Sequence, residues 1–288
     1  MKKLYLIDYS YYSYKYGYGY KIYNEVERNI FFGYVRLMKA INKREGGDVD
    51  RYEVGIVCDS KVSFRKVIYP FYKGNRETGI MVYGSFEIMN NFFSNLKNVE
   101  VYQSEGYEAD DVIYSIVTDR AGEYEKIYIC SIDSDLNVLL KYKNVERIIS
   151  IYEDKYYTIE DYKREYGELE IEKFIFWKSI KGDKSDNIKG YKKVPKKFIT
   201  MVSRECSDPM EILKMDKDRI KGYEKVIEEI QRNPGVLRLA YRLTKLNYCK
   251  YKKINKVEKT MDEVCSYFGV SNEIPEKMIK ERGEEECL

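Results

Sequence analysis

Apolar runs recur along the first half of the chain, at residues 4–8 (LYLID), 54–59 (VGIVCD), 99–102 and 127–132 (IYICSI). Helix-length segments separate them, the alternation expected of a buried, mostly parallel sheet with crossover helices. Three of the runs end in acids, namely Asp8, Asp59, and the pair Asp133 and Asp135 in SIDSD. In an open α/β sheet, ligands bind outside the C-terminal ends of the strands. Ala109, Val112, Ile113, Ile116 and Val117 repeat with helical period and predict an amphipathic helix on the sheet, with Glu108, Asp110 and Asp111 in its first turn. From about residue 170 the pattern is helical only. Helices are expected over 170–181 and 195–204, the latter with Pro195 at a permitted first-turn position. Asn233 and Pro234 open another helix that carries Leu237, Ala240 and Leu243, and Thr260 with Glu263 has capping-box spacing. The expected division is a sheet-bearing domain over 1–170 and a helical domain over 171–288.

With 288 residues the chain is long enough for a proper core, and Gly 18 plus Pro 5 is too few for long flexible linkers. Lys plus Arg is 51 against 48 acids, so any nucleic-acid surface must come from uneven placement of charge. The absence of histidine excludes Ser-His-Asp and Cys-His relays and every His-containing zinc site. Six cysteines without a CxxC pair, and an N-terminus too weakly apolar for a signal peptide, suggest a reduced, cytoplasmic protein without membrane association. The 31 tyrosines accompany abundant Lys, Ile and Asn, a bias that AT-rich codons produce without structural cause. The run YYSYKYGYGYKIY therefore says little by itself, although it follows the first acid-tipped strand.

Nine acids are expected at one edge of the sheet: Asp8, Asp59, Glu108, Asp110, Asp111, Asp133, Asp135, and Asp183 and Asp186 in GDKSDN. Their mutual repulsion calls for hard cations bound by carboxylate oxygen, with Mg²⁺ as the natural choice and Mn²⁺ able to substitute. Mg²⁺ takes few protein ligands, so this many acids suggest two or more ions. Two such ions can activate a water and stabilise a leaving oxygen in phosphodiester hydrolysis, which needs no histidine. Each group also has a local reading. Glu108, Asp110 and Asp111 suit a helix dipole, Asp133 an N-cap, and Asp183 and Asp186 a turn. Asp8 and Asp59 have no local capping duty, and the joint pattern is stronger than any part.

Two basic stretches accompany the acids. SFRKVIYPFYKGNR sets Arg65, Lys66, Lys73 and Arg76 among Phe64, Tyr69, Phe71 and Tyr72, the mixture that grips single-stranded nucleic acid, although snorkelling cations on an amphipathic helix give the same pattern. Residues 181–204 hold eight basic residues against two acids, and the segment joins directly to Asp183 and Asp186.

LYLIDYS, VCDSKVSFRKVIYPFYKGNR, GYEADDVIYSIV, SIDSDLNVLL and KGDKSDN, in that order, resemble the flap endonuclease and 5′-3′ exonuclease family, nearest to the ribonuclease H enzymes of T4-like phages. The motifs span residues 4–197, with helix pattern alone beyond. The resemblance implies a PIN-like, Rossmann-like catalytic domain with a helical arch near 64–90, and a C-terminal helical domain with a helix-three-turn-helix-like motif for duplex DNA. It implies that Asp8, Asp59, Glu108, Asp110 and Asp111 serve mainly one metal site, and Asp133, Asp135, Asp183 and Asp186 the other. By the same likeness Lys73 and Arg76 contact the scissile phosphate at the base of the arch, Tyr72 stacks, and residues 77–86 admit a 5′ end. The implied function is metal-dependent, structure-specific 5′ nuclease activity, exonuclease, flap endonuclease and ribonuclease H, on RNA primers, flaps or nicked duplex in phage replication or repair.

The chain departs from the family where Lys193 and Pro195 replace glycines of a GxG hairpin, which puts a backbone amide cradle and any potassium site in doubt. Lys192, Lys193, Lys196 and Lys197 can supply phosphate contacts instead. The implied partners are branched or nicked DNA and RNA–DNA hybrid, with a single-strand-binding protein or sliding clamp left open and a monomer expected. The rival readings are a PIN-like single-strand ribonuclease and a catalytically silent branched-DNA-binding module. On the nuclease reading, Asp111→Ala and Asp186→Ala are expected to abolish cleavage while sparing the fold.

Overall fold

In the computed structural model, which describes residues 1–19, 22–75, 84–271 and 274–280, the apolar runs assemble into one seven-stranded sheet of order β6-β5-β4-β1-β2-β3-β7. The strands are β1 Lys3–Asp8, β2 Tyr52–Cys58, β3 Val99–Gln103, β4 Lys126–Cys130, β5 Val145–Ser150, β6 Lys155–Tyr157 and β7 Lys252–Lys253. Pairings from β5 through β3 are parallel, and the two edge strands run antiparallel. The chain lays β2 and β3 on one side of β1 and then returns to set β4 on its other side. That reversal opens a crevice between the C-terminal ends of β1 and β4, the place where such sheets bind ligands.

The helices are α1 Tyr9–Gly19, α2 Val26–Arg44, α3 Phe64–Ile68, α4 Phe86–Ser94, α5 Ala109–Arg120, α6 Ile159–Tyr166, α7 Phe174–Lys181, α8 Lys196–Glu205, α9 Glu224–Arg232, α10 Pro234–Thr244 and α11 Met261–Tyr267. Strand alternation divides β1, so that Tyr5 and Ile7 join the core formed with α1, α2, α4 and α11, while Leu4 and Leu6 join the core under α5. Both faces are covered, which is why the central strands read as apolar runs. Val112, Ile113, Ile116 and Val117 are fully buried, and truncating one of these isoleucines to alanine costs about 2–5 kcal/mol.

Three strands were not expected from the sequence. β5 is interrupted by Glu146 and Arg147, and the Arg147 guanidinium is buried because it donates to Asn137 Oδ1 and the Ser131 carbonyl. β6 is three residues long and β7 two, too short for periodicity to register. The two lysines of β7 also suit an edge that must stay unpaired to other chains. The helix expected over 170–181 begins as a 3-10 turn at Ile171–Lys173 and becomes α-helical from Phe174.

The expected division at residue 170 needs correction. A helical layer does form from α7 to α10 around Phe176, Ile180, Phe198, Ile199 and Val202. The chain then returns, adding β7 to β3 and packing Met261, Val264, Cys265 and Phe268 into the core of the sheet. Phe268 stacks on Phe31 at 4.3 Å between ring centroids, a contact that sequence separation hides. Among the described residues, no helix is long and apolar enough to cross a membrane.

Candidate metal centre and nucleic-acid interface

Parallel register brings the strand-end acids together. Asp8 lies level with Val57, so Asp59 projects just beyond it, and Ile7 pairs with Cys130, so Ser131 follows at the level of Asp8. Ser131 Oγ donates to Asp8 Oδ2 at 3.1 Å, and Ser10 Oγ donates to Asp59 Oδ2 at 2.6 Å. The amide of Ala109, at the start of α5, donates to Asp59 Oδ1 at 2.8 Å and ties that helix terminus to β2. Asp110 thereby faces the same crevice, where its Oδ1 is buried without a hydrogen-bond partner.

The electrostatics follow from this crowding. Burial, and then the charge of Asp59, push Asp8 up to about 7. Burial and the neighbouring Asp133 push Asp135 up to about 7 as well. Asp110 is raised well above the ordinary carboxylate range by burial, Asp133 and Asp8. These acids repel one another through low-dielectric surroundings, which is the condition a divalent cation relieves.

Several of the remaining acids are held by cations. Glu108 accepts from Lys73 Nζ at 3.0 Å, Tyr72 Oη at 2.8 Å and Arg65 Nη1 at 3.2 Å. Lys178 Nζ lies 2.5 Å from Asp135 Oδ1 and 2.6 Å from Asp183 Oδ2. Burial opposes the charged form of Asp183, but Lys178 and Ser185 outweigh it and lower the carboxyl pKa. Asp186 is buried, and its Oδ2 accepts from Tyr72 Oη at 3.1 Å. Among the described residues, no three acids are drawn into a closed ligand cage. The ammonium groups of Lys73 and Lys178 stand beside them instead.

The local readings hold for several acids at once. Glu108 and Asp111 form a capping box on α5, Asp133 caps the 3-10 turn through the Asp135 amide, and Asp183 accepts from both the amide and hydroxyl of Ser185. A carboxylate that completes a turn still presents lone pairs to the crevice.

Asp111, however, sits apart. Its side chain is fully buried, both oxygens bind Arg65, and Oδ1 also accepts the Asn247 amide at 2.8 Å. It is therefore an anchor for the site wall, and Asp111→Ala should not spare the fold. Arg65 corrects a second expectation. Its Nε donates to the Leu243 carbonyl, its Nη1 to Glu108 and Asp111, and its Nη2 to Asp111 and the Lys245 carbonyl. All five donors are used and the residue is 2% exposed, so none remains for phosphate. Tyr72 corrects a third, since it is 3% exposed with its hydroxyl committed to Glu108 and Asp186. The aromatic left open to a base is Phe71, 67% exposed and packed edge-on against Tyr69.

Lys73 adopts φ 53°, and its amide donates to the Asp186 carbonyl at 2.9 Å. Asn75 Nδ2 donates to the Lys184 carbonyl and Asn187 Nδ2 to the Phe71 carbonyl. The basic loop is thus pinned to the GDKSDN loop, which aims Lys73 at the acids. Arg76, and the arch segment through residue 83, lie outside the described residues.

α7, two tight turns and α8 make a helix–loop–helix whose loop is crowded at Gly190, where a Cβ would stand 2.0 Å from the Lys181 carbonyl carbon. Lys193 takes φ 57°, the conformation a glycine would adopt more easily. Lys192, Lys193 and Lys197 are exposed, whereas Lys196 is half-buried and donates to the Glu165 carbonyl. Sequence reasoning missed Lys178. The available signal was its place one helical turn after Phe174, inside the apolar run FIFWKSI, where a buried lysine demands acids.

Residues 3–167 match the family model for the 5′-3′ exonuclease N-terminal resolvase-like domain. A DNA polymerase I of Caldicellulosiruptor bescii is 30% identical over 76% of this chain, which spans only 26% of that longer protein. A 5′-3′ exonuclease of Buchnera aphidicola is 24% identical over 92% of this chain and 93% of its own length. Among solved structures, the T5 D15 protein co-crystallized with metal ions superposes with a TM-score of 0.65 at 22% identity, covering 85% of this chain and 90% of that one.

Proposed function

This chain belongs to the 5′-3′ exonuclease family, and from that premise we propose that it is a Mg²⁺-dependent 5′ nuclease that hydrolyses phosphodiesters near the 5′ ends of flaps, nicked duplex and RNA primers. The observation that carries the reading is the crowding of Asp8, Asp59, Asp110, Asp133 and Asp135 beside Lys73 at the β1–β4 crevice. The residues fit hard divalent cations, because every donor is a carboxylate oxygen and the buried Asp110 Oδ1 lacks a partner. Asp8, Asp59, Glu108, Asp110 and Asp133 would hold one ion, and Asp135, Asp183 and Asp186, with Asp133 shared, the second. Bound ions would supply an activated water and charge stabilisation for the leaving oxygen.

The chain's own groups do the rest. Lys73 meets the non-bridging oxygens of the scissile phosphate, with its charge secured by Glu108 and Asp186. Phe71 stacks on an unpaired base near the 5′ end, and Arg76 contributes by resemblance. Lys192, Lys193 and Lys197 grip duplex phosphates, so that the double-stranded part determines which bond reaches the crevice. Hydrolysis of RNA primers would make the enzyme a ribonuclease H as well.

The test is cleavage of three 5′-labelled substrates, a DNA flap, an RNA-primed duplex and a single strand, with Mg²⁺ or EDTA. Mg²⁺-dependent short products from flap or primer, lost in Asp110→Asn, are expected. Preference for the plain single strand would favour a single-strand ribonuclease. Flap binding that persists in EDTA without cleavage would mark a silent binding module.

A further inference from the structure

Lys178 reaches from the buried stripe of α7 to a position between Asp135 and Asp183, with its Nζ 2.5 Å from one carboxylate and 2.6 Å from the other. Its side chain is 8% exposed, so the ammonium is not a surface charge that happens to fold inward. These are two of the acids assigned above to the second ion. A cation bridging them stands where a shared divalent ion would have to stand, because both bind the same lone pairs. We propose that Lys178 is a tethered cation that occupies the second ion site in the resting protein, so that a divalent ion enters there only by displacing it. The two ions then bind in order, the first tightly at Asp8, Asp59, Glu108, Asp110 and Asp133, and the second weakly.

The structure also provides somewhere for the ammonium to go. A cavity of about 160 Å³ adjoins Asp135 and Lys178, and Glu172 lies on its wall. Glu172 offers the withdrawn Lys178 a carboxylate other than Asp135 and Asp183. Residence between Asp135 and Asp183 keeps two buried acids compensated while no ion is bound, and removing one partner of a buried pair is costly. The second ion would enter most readily when a scissile phosphate adds its own negative charge, which couples completion of the site to substrate. This inference rests on the metal-dependent reading proposed above.

The experiment titrates the 288-residue chain with Mn²⁺ in the absence of nucleic acid, following free ion by electron paramagnetic resonance. Wild type should bind one ion tightly and a second at least about tenfold more weakly. In Lys178→Gln the second ion should tighten by about tenfold or more while the first stays within about threefold, and Lys178→Arg should resemble wild type. An unchanged second-ion affinity in Lys178→Gln overturns the proposal while leaving the metal-dependent reading intact. Failure of every form to bind Mn²⁺ overturns both. Should Lys178→Gln not fold, amine labelling of the wild type read by peptide mass spectrometry decides the matter. Lys178 should be unreactive without ions and labelled at saturating Mg²⁺, and labelling that does not change overturns the proposal.

Discussion

Replacing Arg65 by methionine isolates the anchor behind the acid cluster. The substitution keeps much of the apolar stem and deletes five donors, two of them to the main-chain carbonyls of Leu243, at the end of α10, and Lys245, just beyond it, and the rest to Glu108 and Asp111. Asp111 is then left as a fully buried carboxylate that accepts from the Asn247 amide at 2.8 Å and the Glu108 amide at 3.4 Å. Breaking a buried pair by removing one partner costs about 3–5 kcal/mol, a large share of the roughly 5–15 kcal/mol that keeps a domain folded. At roughly 2–4 °C per kcal/mol for a chain of this order, Arg65→Met should lower the melting temperature by about 10 °C. Thermal and urea unfolding followed by circular dichroism measure it. Adding Asp111→Leu removes the stranded charge, so the double variant should recover about half of the loss. A cycle in which the two substitutions simply add, or a single-variant loss under about 1 kcal/mol, would refute the ion pair as the anchor.

Acidity should stabilise the metal-free protein. Asp8 and Asp135 titrate near 7 when folded and near 3.8 when unfolded, so the folded state binds more protons between these values. Stability then falls as pH rises from about 4 to 7 and levels above it, and the melting temperature should climb from pH 8 to pH 5.5 in EDTA. Mg²⁺ at pH 8 should restore most of that difference, and a metal-free protein indifferent to pH over this window would contradict the buried-acid geometry. Asp110→Asn should raise the metal-free melting temperature while weakening Mn²⁺ binding by at least roughly 10–100-fold in calorimetry, a split that a purely structural Asp110 would not give. Phe71→Ala should weaken binding of a 5′ single-stranded arm by about 1–3 kcal/mol, whereas Tyr72→Phe should leave arm binding nearly unchanged in fluorescence anisotropy. Lys192→Ala, Lys193→Ala and Lys197→Ala together should reduce the salt dependence of duplex binding by a slope of about 3, and an unaltered slope would remove these lysines from the interface.

Much of this was legible along the chain because its causes are local. Alternating strand and helix patterns announced the parallel core, and the acids directly ending apolar strands at Asp8 and Asp59 stood out in the same way, although Asp8, expected to have no capping duty, also caps α1 by accepting the Tyr11 amide at 3.0 Å. The capping box at Thr260 was likewise readable, since its partners lie three residues apart, whereas the one Glu108 forms with Asp111 reads in the sequence only as a helix-dipole contact. Tertiary structure decided which charges remain available. Arg65 and Lys73 belong to the same basic stretch, yet one is consumed by Asp111 and the other reaches Glu108 from the crevice side. Tyr72 and Phe71 are adjacent in sequence, but only Phe71 turns to solvent, because Asp186, far along the chain, claims the hydroxyl of Tyr72. The place of Lys178 between Asp135 and Asp183, and the return of α11 to the sheet core, were decided in the same way. Periodicity reports which face of an element is buried, whereas the partner found on that face depends on strand order and on loops that bring distant residues within a few ångströms.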